Sequence, residues 1–199
     1  MANKINFQKE LDKLLEQNQC EGRIPSLFLH SCCAPCSSYV IEYLSDYFQI
    51  TVFYYNPNIY PDEEYLHRVK EQQHLICQIP QKYPVSFLEG DFDKERFYDM
   101  AKGLEKIPEG GERCFQCYRL RLEKTAQLAK EHGFDYFCTT LSISPLKNAQ
   151  KLNEIGEELA NGYKRSVELS ALYGLYRQDY CGCVFSKKER ERQIASELI

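Results

Sequence analysis

Seven of the ten cysteines fall in three tight groups: Cys32-Cys33-Ala34-Pro35-Cys36, Cys114-Phe115-Gln116-Cys117 and Cys181-Gly182-Cys183. Structural cysteines scatter singly over strands and helices. Cysteines one to three residues apart converge instead on a metal ion, an iron–sulfur cluster or a redox disulfide. No zinc-finger spacing fits all three groups. Seven thiols exceed what one tetrahedral ion takes, and they suffice for a four-ligand cluster with others to spare.

The rest of the composition narrows the setting. A chain of 199 residues suits one domain with a sizeable core. Hydrophobic residues make up 43% and charged residues 27%, with a formal net charge of −4. These are values of a soluble globular protein and not of a strongly basic nucleic-acid binder, although an acidic chain can still carry a local basic patch. No apolar run approaches membrane-spanning length, and Met1 to Gln19 is polar, without the apolar core of a signal peptide. The expected compartment is the reducing cytoplasm, where clustered cysteines read as ligands or catalytic thiols.

The hydrophobic pattern predicts a leading helix over residues 5–19, on Ile5, Leu11, Leu14 and Leu15. A buried strand at 26–30 runs into the first cysteine group, and a helix follows from Ser37 to Tyr47. A second strand, 49–55, stops at Asn56-Pro57-Asn58. Helix 61–79 opens on Pro61 and three acids, which suits a helix start. A strand at 84–88, a helix at 93–103 and a glycine-bearing loop at 104–113 come next. Helix 114–132 is ended by Gly133, strand 134–140 follows, and then helix 145–160. Four alternations imply a doubly wound, mostly parallel α/β sheet with flanking helices, of PP-loop-like, nucleotide-hydrolase architecture. Ligands of such sheets sit beyond the carboxyl ends of the strands, where the first cysteine group and Thr139-Thr140-Leu141-Ser142 both fall. A fifth strand is due after Ala160, yet Asn161-Gly162 leads into another helical stretch, 163–173. Residues 1–199 are therefore read as a single domain that either lacks that strand or is missing a segment between Ala160 and Asn161.

Adjacent Cys32 and Cys33 can reach one site only in a turn or at a helix start. Pro35 favours the turn, and the helix N-terminus favours thiolates there. Cys114 and Cys117 open a helix nearly one turn apart, so both sulfurs share one face at its positive end. With the first group they complete a four-cysteine site, and Arg113 and Arg119 flank it as countercharges. Cys181-Gly182-Cys183 allows a strained disulfide ring, of the labile and redox-active kind; metal chelation is the rival reading. Tyr176 to Tyr180 forms a polar, aromatic wall before it. Cys20, Cys77 and Cys138 stand alone and read as structural, and His30 reads as a core histidine. Tyr163, Lys164 and Arg165, with Arg119, Arg121 and Lys124, make a modest candidate phosphate-facing patch. Residues 187–192 read as a solvated helix face.

Five stretches together resemble the cobalamin-independent epoxyqueuosine reductases, the QueH family. They are 29–36 (Leu29-His30-Ser31-Cys32-Cys33-Ala34-Pro35-Cys36), 55–59 (Tyr55-Asn56-Pro57-Asn58-Ile59), 113–121 (Arg113 to Arg121), 139–145 (Thr139 to Pro145) and 176–186 (Tyr176 to Ser186). They occur in family order over most of the chain. The resemblance implies a transfer RNA with epoxyqueuosine in its anticodon loop as substrate, and deoxygenation of the epoxide to queuosine. It also implies an iron–sulfur cluster, no cobalamin, and an electron donor that the chain does not name. It departs from the family after Ala160, where a further strand and basic loop are usual, and some members carry Asp in place of Cys36.

The resulting assignment places a 4Fe-4S cluster on Cys32, Cys33, Cys114 and Cys117. Cys36 is placed at a second iron ion or in the wall of the site. Cys181 and Cys183 form a redox dithiol, and Asp179 or Tyr180 donates a proton. Two other readings stay open at this level. One is a cluster-dependent tRNA sulfur-transfer enzyme, which needs a glycine-rich nucleotide loop where this chain has Ser31 to Ser37. The other is a zinc-stapled RNA-binding module.

Overall fold

The computed structural model describes residues 6–163 and 183–185. Four parallel strands form one sheet in the order β3-β2-β1-β4. They are β1 (Ser26–Ser31), β2 (Gln49–Tyr54), β3 (Ser86–Glu89) and β4 (Tyr136–Thr139). The helices are α1 (Phe7–Cys20), α2 (Ala34–Leu44), α3 (Asp62–Gln78), α4 (Lys94–Ala101), α5 (Glu112–Glu131) and α6 (Ala149–Tyr163). A short 3-10 helix, Thr140–Ile143, follows β4 directly.

The central strand β1 is buried on both faces, as parallel strands covered by crossover helices must be. Its alternation sorts the core into two layers. Leu27 and Leu29 pack with Leu11 and Leu15 of α1, Val40, Ile41 and Leu44 of α2, and Ile76 of α3. Phe28 points the other way, into Phe53, Tyr118, Leu122 and Ala126, with Leu152 and Ile155 of α6. The rings of Phe28 and Phe53 stack at 4.9 Å across neighbouring strands. Helices therefore cover both faces, which is the doubly wound α/β fold that the alternation implies.

Local chemistry sets the ends. α5 stops at Gly133, whose φ of 74° is left-handed and costs a glycine little. The chain then closes a hydrogen bond from Phe134 N to Ala129 O at 2.9 Å. Gly111 caps the start of α5, and a Cβ there would stand 2.6 Å from Ile107 Cγ2, so the turn has room only for glycine. Two helix starts differ from the sequence expectation by three residues or more. α2 begins at Ala34 and not at Ser37, because Cys33 is its N-cap and Pro35 suits its first turn. α6 begins at Ala149 and not at Pro145, because Asn148 Oδ1 accepts from Lys151 N at 2.9 Å and starts the helix there. α6 runs unbroken through Ala160 and Asn161 to Tyr163. The expected fifth strand and the stretch 163–173 fall largely outside the described residues. Among those residues, no helix is long and apolar enough to cross a membrane.

Candidate metal centre

The carboxyl end of β1 delivers the first cysteine group to the amino end of α2. Cys33 adopts an extended backbone (φ −176°, ψ 163°) as N-cap, and Cys36 lies in the helix's first turn. This kink lets two adjacent cysteines face one point. The sulfurs of Cys32 and Cys33 stand 3.9 Å apart. All three sulfurs, with that of Cys36, lie within 4.8 Å of one another, and all three residues are buried. Two thiolates on one tetrahedral ion with bonds of about 2.3 Å stand about 3.8 Å apart, so the trio fits a soft-metal ligand set.

The electrostatics are those of one shared negative charge. Hydrogen bonds from the thiols of Cys33 and Cys36 hold Cys32 well below the ordinary thiol range. The Lys147 ammonium and the Thr140 hydroxyl add to this. The same contacts push the Cys33 and Cys36 thiols up, because each donates to the Cys32 thiolate. Thr140 bonds Cys32 twice, accepting from its N–H at 3.1 Å and donating to its sulfur at 3.4 Å. A cation entering the trio displaces protons from the two raised thiols, so metal uptake releases acid.

Beneath the trio lies a buried polar frame. Gln72 Oε1 accepts from Ser31 Oγ at 2.6 Å and Ser37 Oγ at 3.0 Å, and Ser37 also donates to Cys33 O at 2.7 Å. Asn56 Nδ2 donates to Ser31 O at 2.8 Å and its Oδ1 accepts from Arg121 Nη1 at 3.3 Å. Arg121 Nε in turn donates to Cys117 O at 3.2 Å. The frame thus ties α5 to the tips of β1 and β2. Arg121 is 3% exposed and belongs to this latch, so it does not join the phosphate-facing patch expected of it. Arg119 pairs with Glu158 at the surface.

His30 is fully buried in β1, between Thr139 Oγ1 at 2.8 Å and Tyr55 O at 3.0 Å. Burial, with the nearby Arg121 charge, pushes its pKa down to about 4. The neutral ring donates from Nε2 to the Tyr55 carbonyl and accepts at Nδ1 from the Thr139 hydroxyl. The depressed value carries a sign for stability. Above about pH 6.5 neither state binds the proton; between there and pH 4 the unfolded chain binds it and the folded chain does not. Acidification of the metal-free protein from pH 7 to pH 4 is therefore expected to remove about 3 kcal/mol through this residue. Urea unfolding of the metal-free protein and a His30→Asn variant over that range checks it, and parallel pH profiles would reject it.

The other cysteines divide. Cys114 packs against the apolar cluster that contains Cys32, Cys33 and Cys36, and Gly110 N donates to its sulfur at 3.3 Å. Cys117 is buried in a neighbouring cluster with Phe97, Leu120, Val184 and Cys183. Cys183 also bridges Ile59 in an antiparallel pair. Cys138 is buried in β4, whereas Cys20 and Cys77 are exposed. Cys181, Asp179 and Tyr180 lie outside the described residues. Sequence reasoning missed two groups at the centre. Gln72 and Lys147 carry no local signal, because each reaches the cysteines only through the fold. Thr140 was legible only as a residue at the end of a strand.

Comparison with known proteins adds a second line. A family model described as "Epoxyqueuosine reductase QueH" matches residues 27–189. The chain is 42% identical over 202 residues to the epoxyqueuosine reductase QueH of Staphylococcus epidermidis, covering 92% of this chain and 85% of that protein. It is 41% identical to the protein of that name from Streptococcus pyogenes, over 93% of this chain and 79% of the relative. With the Thermotoga maritima protein of that name it shares 32% identity over 85% of this chain and 94% of the relative.

Proposed function

Because the chain belongs to the epoxyqueuosine reductase QueH family and is an oxidoreductase, we propose that it reduces epoxyqueuosine to queuosine at the wobble position of a tRNA anticodon. The observation that carries the reading is the buried trio Cys32, Cys33 and Cys36 at the carboxyl end of the central strand. Neither the sulfur-transfer reading nor the zinc-stapled module gains support from the family match.

The reaction consumes two electrons and two protons, forms a carbon–carbon double bond, and releases the epoxide oxygen as water. Cys32, Cys33, Cys114 and Cys117 would hold a 4Fe-4S cluster, with Cys36 beside them as ligand of a second iron ion. When bound, such a group supplies low-potential electrons and a Lewis acid for the epoxide oxygen. The chain itself supplies the rest. Burial of the trio excludes water, while the α2 N-terminus, the Thr140 hydroxyl and the Lys147 ammonium stabilise thiolate charge. Neutral His30 and the Gln72 and Asn56 bonds hold the strand tips that carry the site. Cys181 and Cys183 act as a redox dithiol that relays electrons from an external donor. The burial of Cys183 and Cys117 in one apolar cluster supports that route. Asp179 is the candidate proton donor, and the cytoplasm is the proposed compartment.

Anaerobic isolation should yield a brown protein with about four iron and four sulfide per chain, or somewhat more iron. Incubation with epoxyqueuosine-bearing tRNA and a strong reductant should then convert the modified base, read by mass spectrometry of the digested nucleosides. A colourless zinc protein without sulfide, or a brown one that leaves the epoxide intact, would overturn the reading.

A further inference from the structure

Arg113 precedes Cys114 in the first turn of α5 and is 2% exposed. Its Nη1 donates to the carbonyls of Glu105 and Ile107, at 3.0 and 2.6 Å. Its guanidinium carbon stands 5.0 Å from the centre of the Phe185 ring, two residues beyond Cys183. Nε and Nη2 are buried with no hydrogen-bond partner. Among the described residues no carboxylate pairs with Arg113.

A guanidinium stays charged at any pH at which proteins fold. Burying that charge unpaired is costly, and one aromatic face offsets only part of the cost. An anion beside it would lower that cost. The groups around Arg113 point to thiolates as that anion. Cys114 is its neighbour in the chain, and Cys117 and Cys183 share one apolar cluster with Phe185 packed against it. The loop that Arg113 grips through Glu105 and Ile107 is the same loop whose Gly110 N–H donates to Cys114 Sγ.

We propose that Arg113 is a positioning residue that supplies the countercharge of the thiolate centre while tying the Gly110–Cys114 turn and the Cys183–Phe185 segment to the start of α5. This rests on the reading that the α5 cysteines hold an iron–sulfur cluster. A fixed positive charge favours the reduced, more negative state and so raises the reduction potential. At an effective dielectric near 20, a unit charge about 10 Å from a redox centre shifts its equilibrium by roughly tenfold.

The test compares the unmodified protein with Arg113→Met, Arg113→Lys and Phe185→Leu, all loaded anaerobically. Iron and sulfide content are measured first, then the midpoint potential by spectroelectrochemical titration. Arg113→Met should keep its iron and shift the oxidised-to-reduced ratio at fixed potential by tenfold or more toward the oxidised form, about 59 mV for one electron. Arg113→Lys should recover most of that shift, because it restores the charge without the fork of donors. Phe185→Leu should leave the potential within about threefold in ratio. It should also raise the alkylation rate of Cys183 in the metal-free protein severalfold, since the ring no longer pins that segment.

Full iron content with an unchanged potential in Arg113→Met would overturn the countercharge. Loss of iron in both Met and Lys variants would also overturn it, leaving only an anchoring role through the two carbonyls. Loss in Met alone, with Lys retaining both iron and potential, supports it. An unmodified protein that takes up no iron would refute the cluster reading itself, and this proposal with it.

Discussion

Cys33→Ser is expected to remove the metal centre and abolish turnover together. The thiol is 2% exposed, its sulfur lies 3.9 Å from that of Cys32, and it shares the point on which all three sulfurs converge. A serine hydroxyl does not ionise in this range and is a poor ligand for a soft metal. The fold should survive, because position 33 is the N-cap of α2 and serine is among the best residues there. Turnover should fall by more than about 100-fold, beyond the 10–100-fold typical of losing a ligand's supporting partner. Cys114→Ser is expected to behave the same way. Cys77→Ser, exposed on α3, and Cys138→Ser, in β4, should keep both iron and activity. Iron and sulfide assays on the four variants, beside circular dichroism spectra, check this. Full metal content in Cys114→Ser would remove that residue from the ligand set.

Cys183→Ser is expected to separate the two losses: spare the metal yet stop turnover. Cys183 is buried against Cys117, Phe97 and Leu120, and its backbone pairs with Ile59. A Cys-Gly-Cys pair closes only a strained ring, and strained disulfides are easily reduced, as a relay requires. The four cysteines proposed as cluster ligands do not include this thiol, so its loss should leave iron content near that of the unmodified protein. Turnover should fall by roughly 100-fold or more, the scale of losing an interaction made only along the reaction path. Iron counts decide the matter. If Cys183→Ser strips iron, the pair is a ligand set, and Cys36 with Cys183 becomes the better proposal for a second metal position.

The sequence carried the fold class and the location of the centre, because both rest on local signals. Alternating strands and helices force parallel pairing. The run Ser26 to Ser31, apolar on both faces, could only be a strand covered by helices on each side, and the cysteines at its carboxyl end then fall where such folds bind ligands. The spacing of Cys32, Cys33 and Cys36 around Pro35 required a turn or a helix start, since adjacent cysteines cannot converge on a continuous strand; that the helix begins at Ala34 and not at Ser37 was settled by the fold. Gly133 marked the end of α5 through its left-handed backbone.

Tertiary structure alone decided which distant residues complete the site. Gln72 on α3 meets Ser31 and Ser37 beside the first cysteine group, Lys147 beyond the 3-10 helix lends its charge to Cys32, and Arg121 on α5 holds Asn56, each across dozens of residues. No periodicity of one helix reports what another helix faces. It also decided the fate of the arginines. On sequence, Arg113 and Arg119 read as countercharges of the cysteine site, and Arg119 and Arg121 as part of a phosphate-facing patch. In the fold Arg119 meets Glu158 at the surface, Arg121 latches Asn56, and Arg113 is buried beside Phe185. The physical reason is that burial and partnership belong to packing between elements. A side chain's charge is written in the chain, but the medium around that charge, and whatever balances it, exists only once the helices have met.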